Sequence, residues 1–210
     1  LDDKRLVEQF KTEFPPGSAP AVKMFAEELL RARFLFDNFV IRTDSVRDTT
    51  HDDSNWVVHR PHRAGIGKNE KVSPAAAFAN PHQDRILMLQ AMYQVTDSRR
   101  SYKEFLYRVL YELRAQWTGE DHAITPEKLI TTMEEMATAR AAVDGASDLH
   151  SGTAVRHFVF NYLDYLLWRA YVVDKEQAPP GVKANDFRYR YRTSVEHFYP
   201  VAPERARLPF

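Results

Sequence analysis

The sequence contains no cysteine, and this excludes disulfides, thiolate metal ligands and cysteine nucleophiles together. It has no apolar run near the roughly 18 residues that a membrane-spanning helix needs, and no segment resembles a signal peptide. Its 29 basic and 29 acidic residues cancel, so the overall charge indicates neither a nucleic acid nor a membrane as partner. We expect a cytoplasmic protein with no membrane partner, and the first residue, Leu1 rather than Met, indicates a piece of a longer chain.

The signatures of several common active sites are also missing. The chain has only 7 glycines, and its one glycine-containing basic stretch, GIGKNEK, lacks the spacing of a phosphate-binding loop. There is no G-x-S-x-G motif of a hydrolase nucleophile. Nucleotide binding of the P-loop type and serine hydrolysis are therefore not expected in this chain.

Helical patterns account for most of what is present. Hydrophobic residues make up 44% of the 210 residues, which is enough for a substantial core. Apolar residues recur at helical spacing in 4–14, 21–41, 85–95, 105–117, 127–143 and 154–173. The predicted fold class is mainly α, an irregular bundle of about five or six helices with a short C-terminal β-strand.

Two of these helices are predicted to lie deep in the bundle. The segment 21–41 carries Val22, Phe25, Leu29, Phe36, Phe39 and Val40 at helical spacing. The segment 154–173 is the most apolar and aromatic in the chain, so we expect it to run through the centre.

The helical pattern is interrupted twice, and this suggests a domain organisation. Residues 1–174 are predicted to form a helical domain with a long polar loop at 43–80, in which only NWVVHR suggests a brief strand. Residues 175–186 have the composition of a linker. Histidines and aspartates in the loop could bind a metal, but their spacing favours an ordinary surface loop that contacts a substrate or a partner domain.

After the linker the hydrophobic period changes from helical to two. Phe187, Tyr189 and Tyr191 alternate with three arginines, and this alternation is typical of a strand whose aromatic face packs on the helices. The arginines are Arg188, Arg190 and Arg192. Two interpretations remain open: a phosphate-binding face that uses the planar guanidinium fork, or a solvated outer face.

The strand continues into an acid–histidine pair, Glu196 and His197, followed by Pro200. A histidine can take a proton from water, and a neighbouring carboxylate can help to hold a divalent metal. The segment SVEHFYP resembles the start of the ββα-metal (HNH-like) nuclease module in GmrSD-type, modification-dependent (type IV) restriction endonucleases. In that family a helical region precedes the module, as it does here.

The resemblance implies a function for each part of the chain. Residues 187–210 would be the truncated start of the nuclease module, with His197 as general base and Glu196 on the metal side. The implied cofactor is a divalent ion such as Mg²⁺, and an NTP would bind only in the N-terminal domain that comes first in the family. The implied partners are that NTPase domain and foreign or phage DNA, including DNA with modified bases, which a bacterial host would cleave in antiviral defence.

This chain holds only part of such a nuclease site. The downstream asparagine and second histidine of the module do not occur in the residues after His197. The segment alone is therefore expected to be inactive, and hydrolysis of the phosphodiester is expected of the full-length protein. The competing interpretation is a non-catalytic helical scaffold or protein-interaction domain, in which the acid–histidine pair is incidental.

Overall fold

The computed structural model describes residues 5–43, 56–65, 70–97, 99–117, 123–146 and 155–191. Six α-helices dominate this part of the chain. They are α1 (Leu6–Glu13), α2 (Ala19–Phe39), α3 (His82–Thr96), α4 (Arg99–Gln116), α5 (Pro126–Ala146) and α6 (His157–Trp168). The predicted mainly α bundle is confirmed.

Four short strands form two separate antiparallel pairs within the described residues. The first pair joins β1 (Arg42–Thr43) to β2 (Trp56–Val57). The second pair is a hairpin of β3 (His59–Ala64) and β4 (Lys71–Ala76). The described parts of 43–80 are thus mainly strands, where the sequence predicted a polar loop. The sequence of β3 consists largely of histidine, proline and arginine and shows no apolar alternation that would predict a strand. Almost all of its residues are exposed, so the strand needs no apolar face.

The core is built around α3 rather than around α6. Eight of its residues are buried: Gln83, Ile86, Met88, Leu89, Gln90, Ala91, Met92 and Tyr93. On α6 the buried residues are Phe158, Tyr165 and Trp168, while Leu163 is 51% exposed. The prediction that the most apolar segment runs through the centre is therefore wrong. Its apolar residues surround the whole helix, but only one side of that helix faces α3 and α5.

Two buried glutamines on α3 fix the strands and the end of α2 to the core. Gln90 accepts from the Ile41 N–H (2.9 Å) and donates to the Phe39 carbonyl (2.9 Å). Gln83 accepts from the Phe78 N–H (3.1 Å) and donates to the Val58 carbonyl (2.8 Å). Each glutamine thereby hydrogen-bonds backbone groups of two different segments and ties them to α3.

Most of the apolar stripe on α2 is exposed, which corrects the prediction that this helix is deeply buried. Val22 is 47% exposed, Leu29 58% and Phe36 38%. Only the last turns are buried, through Leu35, Asn38 and Phe39. The stripe was correctly located, but helical periodicity does not reveal which element, if any, covers an apolar face.

After α6 the sequence predicted a linker, 175–186, and then a strand that begins at residue 187. The helix continues into a π-helical turn, Arg169–Val173, and a 3₁₀ turn follows at Ala184–Asp186. Residues 187–191 have no strand partner among the described residues, so this part of the predicted C-terminal strand is not found.

Candidate functional site

The segment 187–191 leads towards the acid–histidine pair, and Tyr189 anchors it to the helical body. Tyr189 is 3% exposed, and its hydroxyl donates to the Asn161 carbonyl on α6 (2.5 Å). The Asn161 side chain in turn donates to Thr96 Oγ1 at the end of α3 (2.7 Å). Phe187 packs edge-on against Tyr189, with ring centroids 5.1 Å apart. The segment is thus held by side chains and not by strand pairing.

Tyr191 makes the last described contacts of this segment. Its hydroxyl accepts a hydrogen bond from Gln94 Nε2 on α3 (2.7 Å). Its ring meets Trp56 of β2 edge-on at 5.8 Å. These contacts therefore hold Tyr191 against both a helix and a strand of the body.

Two of the three predicted DNA-binding arginines are described, and both are exposed. Arg188 donates through Nη1 to the carbonyls of Asn185 (3.0 Å) and Phe187 (2.6 Å), so part of its guanidinium is already engaged by local backbone. The predicted alternation holds here, because Tyr189 is buried between the exposed Arg188 and Arg190. Arg192, Glu196 and His197 lie outside the described residues.

No metal centre is formed by the residues that the structure describes. Among them, no three His, Asp or Glu side chains are close enough to share an ion. His59 and His62 lie on β3, at positions of different parity and so on opposite faces of the hairpin. The remaining metal-capable residues of the polar segment, His51, Asp52 and Asp53, lie outside the described residues.

Glu134 of α5 is the centre of a partly buried ion network. Its Oε1 accepts from Arg85 Nη2 of α3 (2.8 Å), from the Tyr165 hydroxyl of α6 and from Arg169 Nη1 (3.3 Å). Burial raises the pKa of Glu134, but the hydrogen bonds from Tyr165 and Arg85 outweigh it and hold that pKa below the ordinary value. Burial and the neighbouring Glu134 raise the pKa of Tyr165. The network joins α3, α5 and α6 and has a structural role.

A second charged cluster lines an open cleft of about 810 Å³ between α4, α5 and the start of α6. Arg140 lies 2.5 Å from Asp97 and 3.3 Å from Asp144, and it stacks on the Phe158 ring at 4.0 Å. The Asp97 side chain is only 1% exposed. Burial raises the pKa of Asp97, and the attraction of Arg140 offsets this only in part. The Asp97 oxygens are fully covered, so a ligand in the cleft would not reach them.

Sequence reasoning identified neither charged cluster. Their members lie on three different helices, at sequence separations of 49 between Arg85 and Glu134 and 31 between Glu134 and Tyr165. Each residue belongs to an ordinary helical pattern, so no local motif marks it. Only the packing of α3, α5 and α6 brings them together.

The fold and these contacts define a helical bundle with a basic hairpin and an anchored, extended segment that leads towards an acid–histidine pair. No described helix is long and apolar enough to cross a membrane. Comparisons with protein-family models, curated proteins and solved structures found no match for this chain.

Proposed function

We propose that this chain is the helical region and the start of the nuclease module of a GmrSD-like restriction endonuclease that cleaves foreign or phage DNA. The observation that carries the proposal is the anchored segment 187–191. Tyr189 and Tyr191 fix the chain to α3, α6 and β2 immediately before the SVEHFYP motif. A catalytic segment needs such a fixed point of departure if its side chains are to be placed reproducibly.

The proposed chemistry depends on two residues of that motif. His197 takes a proton from the attacking water, and Glu196 contributes one carboxylate to a divalent metal such as Mg²⁺. When bound, such an ion stabilises negative charge on the phosphate and the leaving oxygen. Arg188, Arg190 and Arg192 contact the DNA backbone, since guanidinium groups suit phosphate oxygens. The NTP is assigned to the NTPase domain implied by the resemblance, because the sequence here has no phosphate-binding loop.

The test is cleavage of phage DNA by the full-length protein carrying His197→Ala. Loss of a general base lowers the cleavage rate by about a hundredfold or more, and we expect the thermal unfolding midpoint to stay unchanged. His157→Ala is the matched control, because His157 is an exposed histidine at the start of α6, outside both the motif and the hairpin. Equal cleavage by wild type and His197→Ala would remove this residue from the mechanism.

A second candidate function is supported by the exposed apolar stripe on α2. Soluble proteins rarely leave a large apolar face uncovered unless another surface packs against it. Val22, Leu29 and Phe36 follow each other at intervals of seven and therefore lie on one side of the helix. This favours a protein-interaction role for α1 and α2, and within the proposed endonuclease it assigns them to contact with the NTPase domain.

A further inference from the structure

The hairpin of β3 and β4 is a two-stranded ribbon in which β3 contacts α2 but most side chains of both strands are exposed. Nearly every residue of both strands is exposed, including Val72 at 63%. A ribbon of six residues per strand is about 20 Å long. An isolated two-stranded ribbon gains little stability from packing, so its exposure calls for an explanation other than core formation.

The register of the hairpin sorts its charges onto different faces. Directly opposite residues share a face, and these pairs are Arg60 with Ala75, His62 with Ser73, and Ala64 with Lys71. The first face, defined by these six residues, therefore carries four side chains that can donate hydrogen bonds and no carboxylate. On the second face Arg63 is neutralised by Glu70, with Nε and Oε1 2.6 Å apart.

The cations of the first face have no partner of their own among the described residues. The side chains of Arg60 and Lys71 form no ion pair or hydrogen bond with the described residues. Most other described arginine side chains pair with an acid or a carbonyl. Two cations on one exposed face, with no counter-ion among the described residues, repel each other and attract anions. The ribbon thus has the charge distribution of a binding surface for a polyanion.

We propose that the first face of the hairpin binds the sugar–phosphate backbone of duplex DNA, with Arg60 and Lys71 as the principal contacts. This rests on the proposed function, and it assigns DNA binding to a part of the chain that the SVEHFYP motif does not include. Arg60 and Lys71 lie about 13 Å apart along the ribbon, because Lys71 is opposite Ala64, and this matches the axial rise of about four nucleotides at about 3.4 Å each. The major groove is wide enough to admit a two-stranded ribbon.

The composition of the first face favours a nucleic acid over an acidic protein. Protein interfaces gain most of their affinity from buried aromatic and large apolar anchors. This face has none, since its only apolar members are Ala64 and Ala75. Arginine, lysine, serine and histidine side chains are instead the usual donors to phosphate oxygens.

The position of the hairpin fits the same DNA as the C-terminal segment. Trp56 of β2 contacts Tyr191, and β3 begins three residues after Trp56. The hairpin base is therefore within about 10 Å of Trp56 along the chain, and Trp56 itself contacts Tyr191. A duplex held by the first face would then pass near Tyr191 and Arg190.

The experiment is a titration of a fluorescent 20-base-pair DNA duplex with the full chain at several salt concentrations, without divalent ions so that nothing is cleaved. We expect the double variant Arg60→Ala/Lys71→Ala to bind more weakly and its slope of log K against log salt to fall by about 2, or one per lost phosphate contact. The matched control is Lys23→Ala/Lys128→Ala, which removes the same charge from α2 and α5.

Each outcome decides the proposal. An unchanged slope in the hairpin variant, an equal loss in the control, or no binding of duplex DNA by wild type would overturn it. Stronger binding of the same sequence as double-stranded RNA would overturn the choice of DNA. The proposed function fails separately: hairpin-dependent binding with cleavage unaffected by His197→Ala would reject the nuclease mechanism alone. If charge reversal of Arg188, Arg190 and Arg192 weakens binding while the hairpin variant does not, only the hairpin proposal fails.

Discussion

At the scale of single residues, Glu134 holds three donors from three parts of the bundle. Its pKa lies below the ordinary value of 4.5, because the hydrogen bonds from Tyr165 and Arg85 outweigh burial. A carboxylate with a lowered folded-state pKa stabilises the fold above its unfolded-state pKa, and this contribution is lost as the pH falls through the folded-state pKa. The network should therefore be intact near neutral pH and weakened in acid.

We expect Glu134→Gln to lower the free energy of unfolding near neutral pH by about 2–3 kcal/mol, since it leaves two partly buried arginines short of a counter-ion. Below the folded-state pKa of Glu134 the difference from wild type should shrink, because wild type is then protonated as well. Urea unfolding at neutral and acidic pH measures both values. Glu135→Gln is the control, as Glu135 is an exposed neighbour on the same helix; a pH-independent loss would show that the network is not the cause.

At the scale of elements, the segment 187–191 shows how a correct pattern can lead to a wrong secondary structure. The alternation of aromatic and arginine residues correctly predicted that Tyr189 is buried between exposed arginines, whereas Tyr191 is 52% exposed. Strand pairing could not be read from it, because a period of two requires only an extended backbone with one covered side. Here helices α3 and α6 supply the cover through Gln94 and Asn161.

We expect Tyr189→Ala to free this segment without unfolding the helical body. Loss of the buried ring and its hydrogen bond costs about 3–5 kcal/mol of local stability. Limited proteolysis should then cut near residues 187–191 several times faster, and cleavage of DNA by the full-length protein should fall. Tyr111→Ala on α4 is the control, because Tyr111 is 67% exposed. Equal proteolysis of the two variants would contradict the anchoring role of Tyr189.

The hairpin shows a different limit of sequence reasoning. Its strand residues include proline at 61 and 74, which face each other across the ladder, and charged or small residues elsewhere. Proline is rare in strands except at edges, and both strands here are edges. Because apolar alternation is missing, the sequence does not predict that β3 and β4 pair as strands. The pairing is seen only in the folded chain.

At the scale of the whole molecule, the number and order of the helices followed from the helical spacing of apolar residues, whereas their burial did not. The most hydrophobic segment became α6 at one side, and α3, with its two buried glutamines, became the centre. A helix is central when neighbours cover all its sides, and that depends on how many elements pack against it. The candidate site followed from one short motif, and its supports on α3, α6 and β2 carry no motif of their own.

The exposed stripe of α2 gives the last prediction, which concerns assembly. If the NTPase domain covers Val22, Leu29 and Phe36, then Val22→Asp/Leu29→Asp should leave the thermal unfolding midpoint of this chain nearly unchanged, since both side chains are already exposed. The same variant should weaken binding of the separately expressed NTPase domain by tenfold or more, because a buried carboxylate without a partner costs well over about 1.4 kcal/mol.

Met24→Asp is the matched control for this experiment. Met24 is 64% exposed on the same helix. Because it follows Val22 by two positions, its side chain points to a different side of the helix. Calorimetric titration of the NTPase domain into wild type and both variants measures the affinities. If Met24→Asp weakens binding equally, added charge on α2 governs the contact and the stripe does not. If both variants bind the NTPase domain as tightly as wild type, the stripe has no role in joining the two domains.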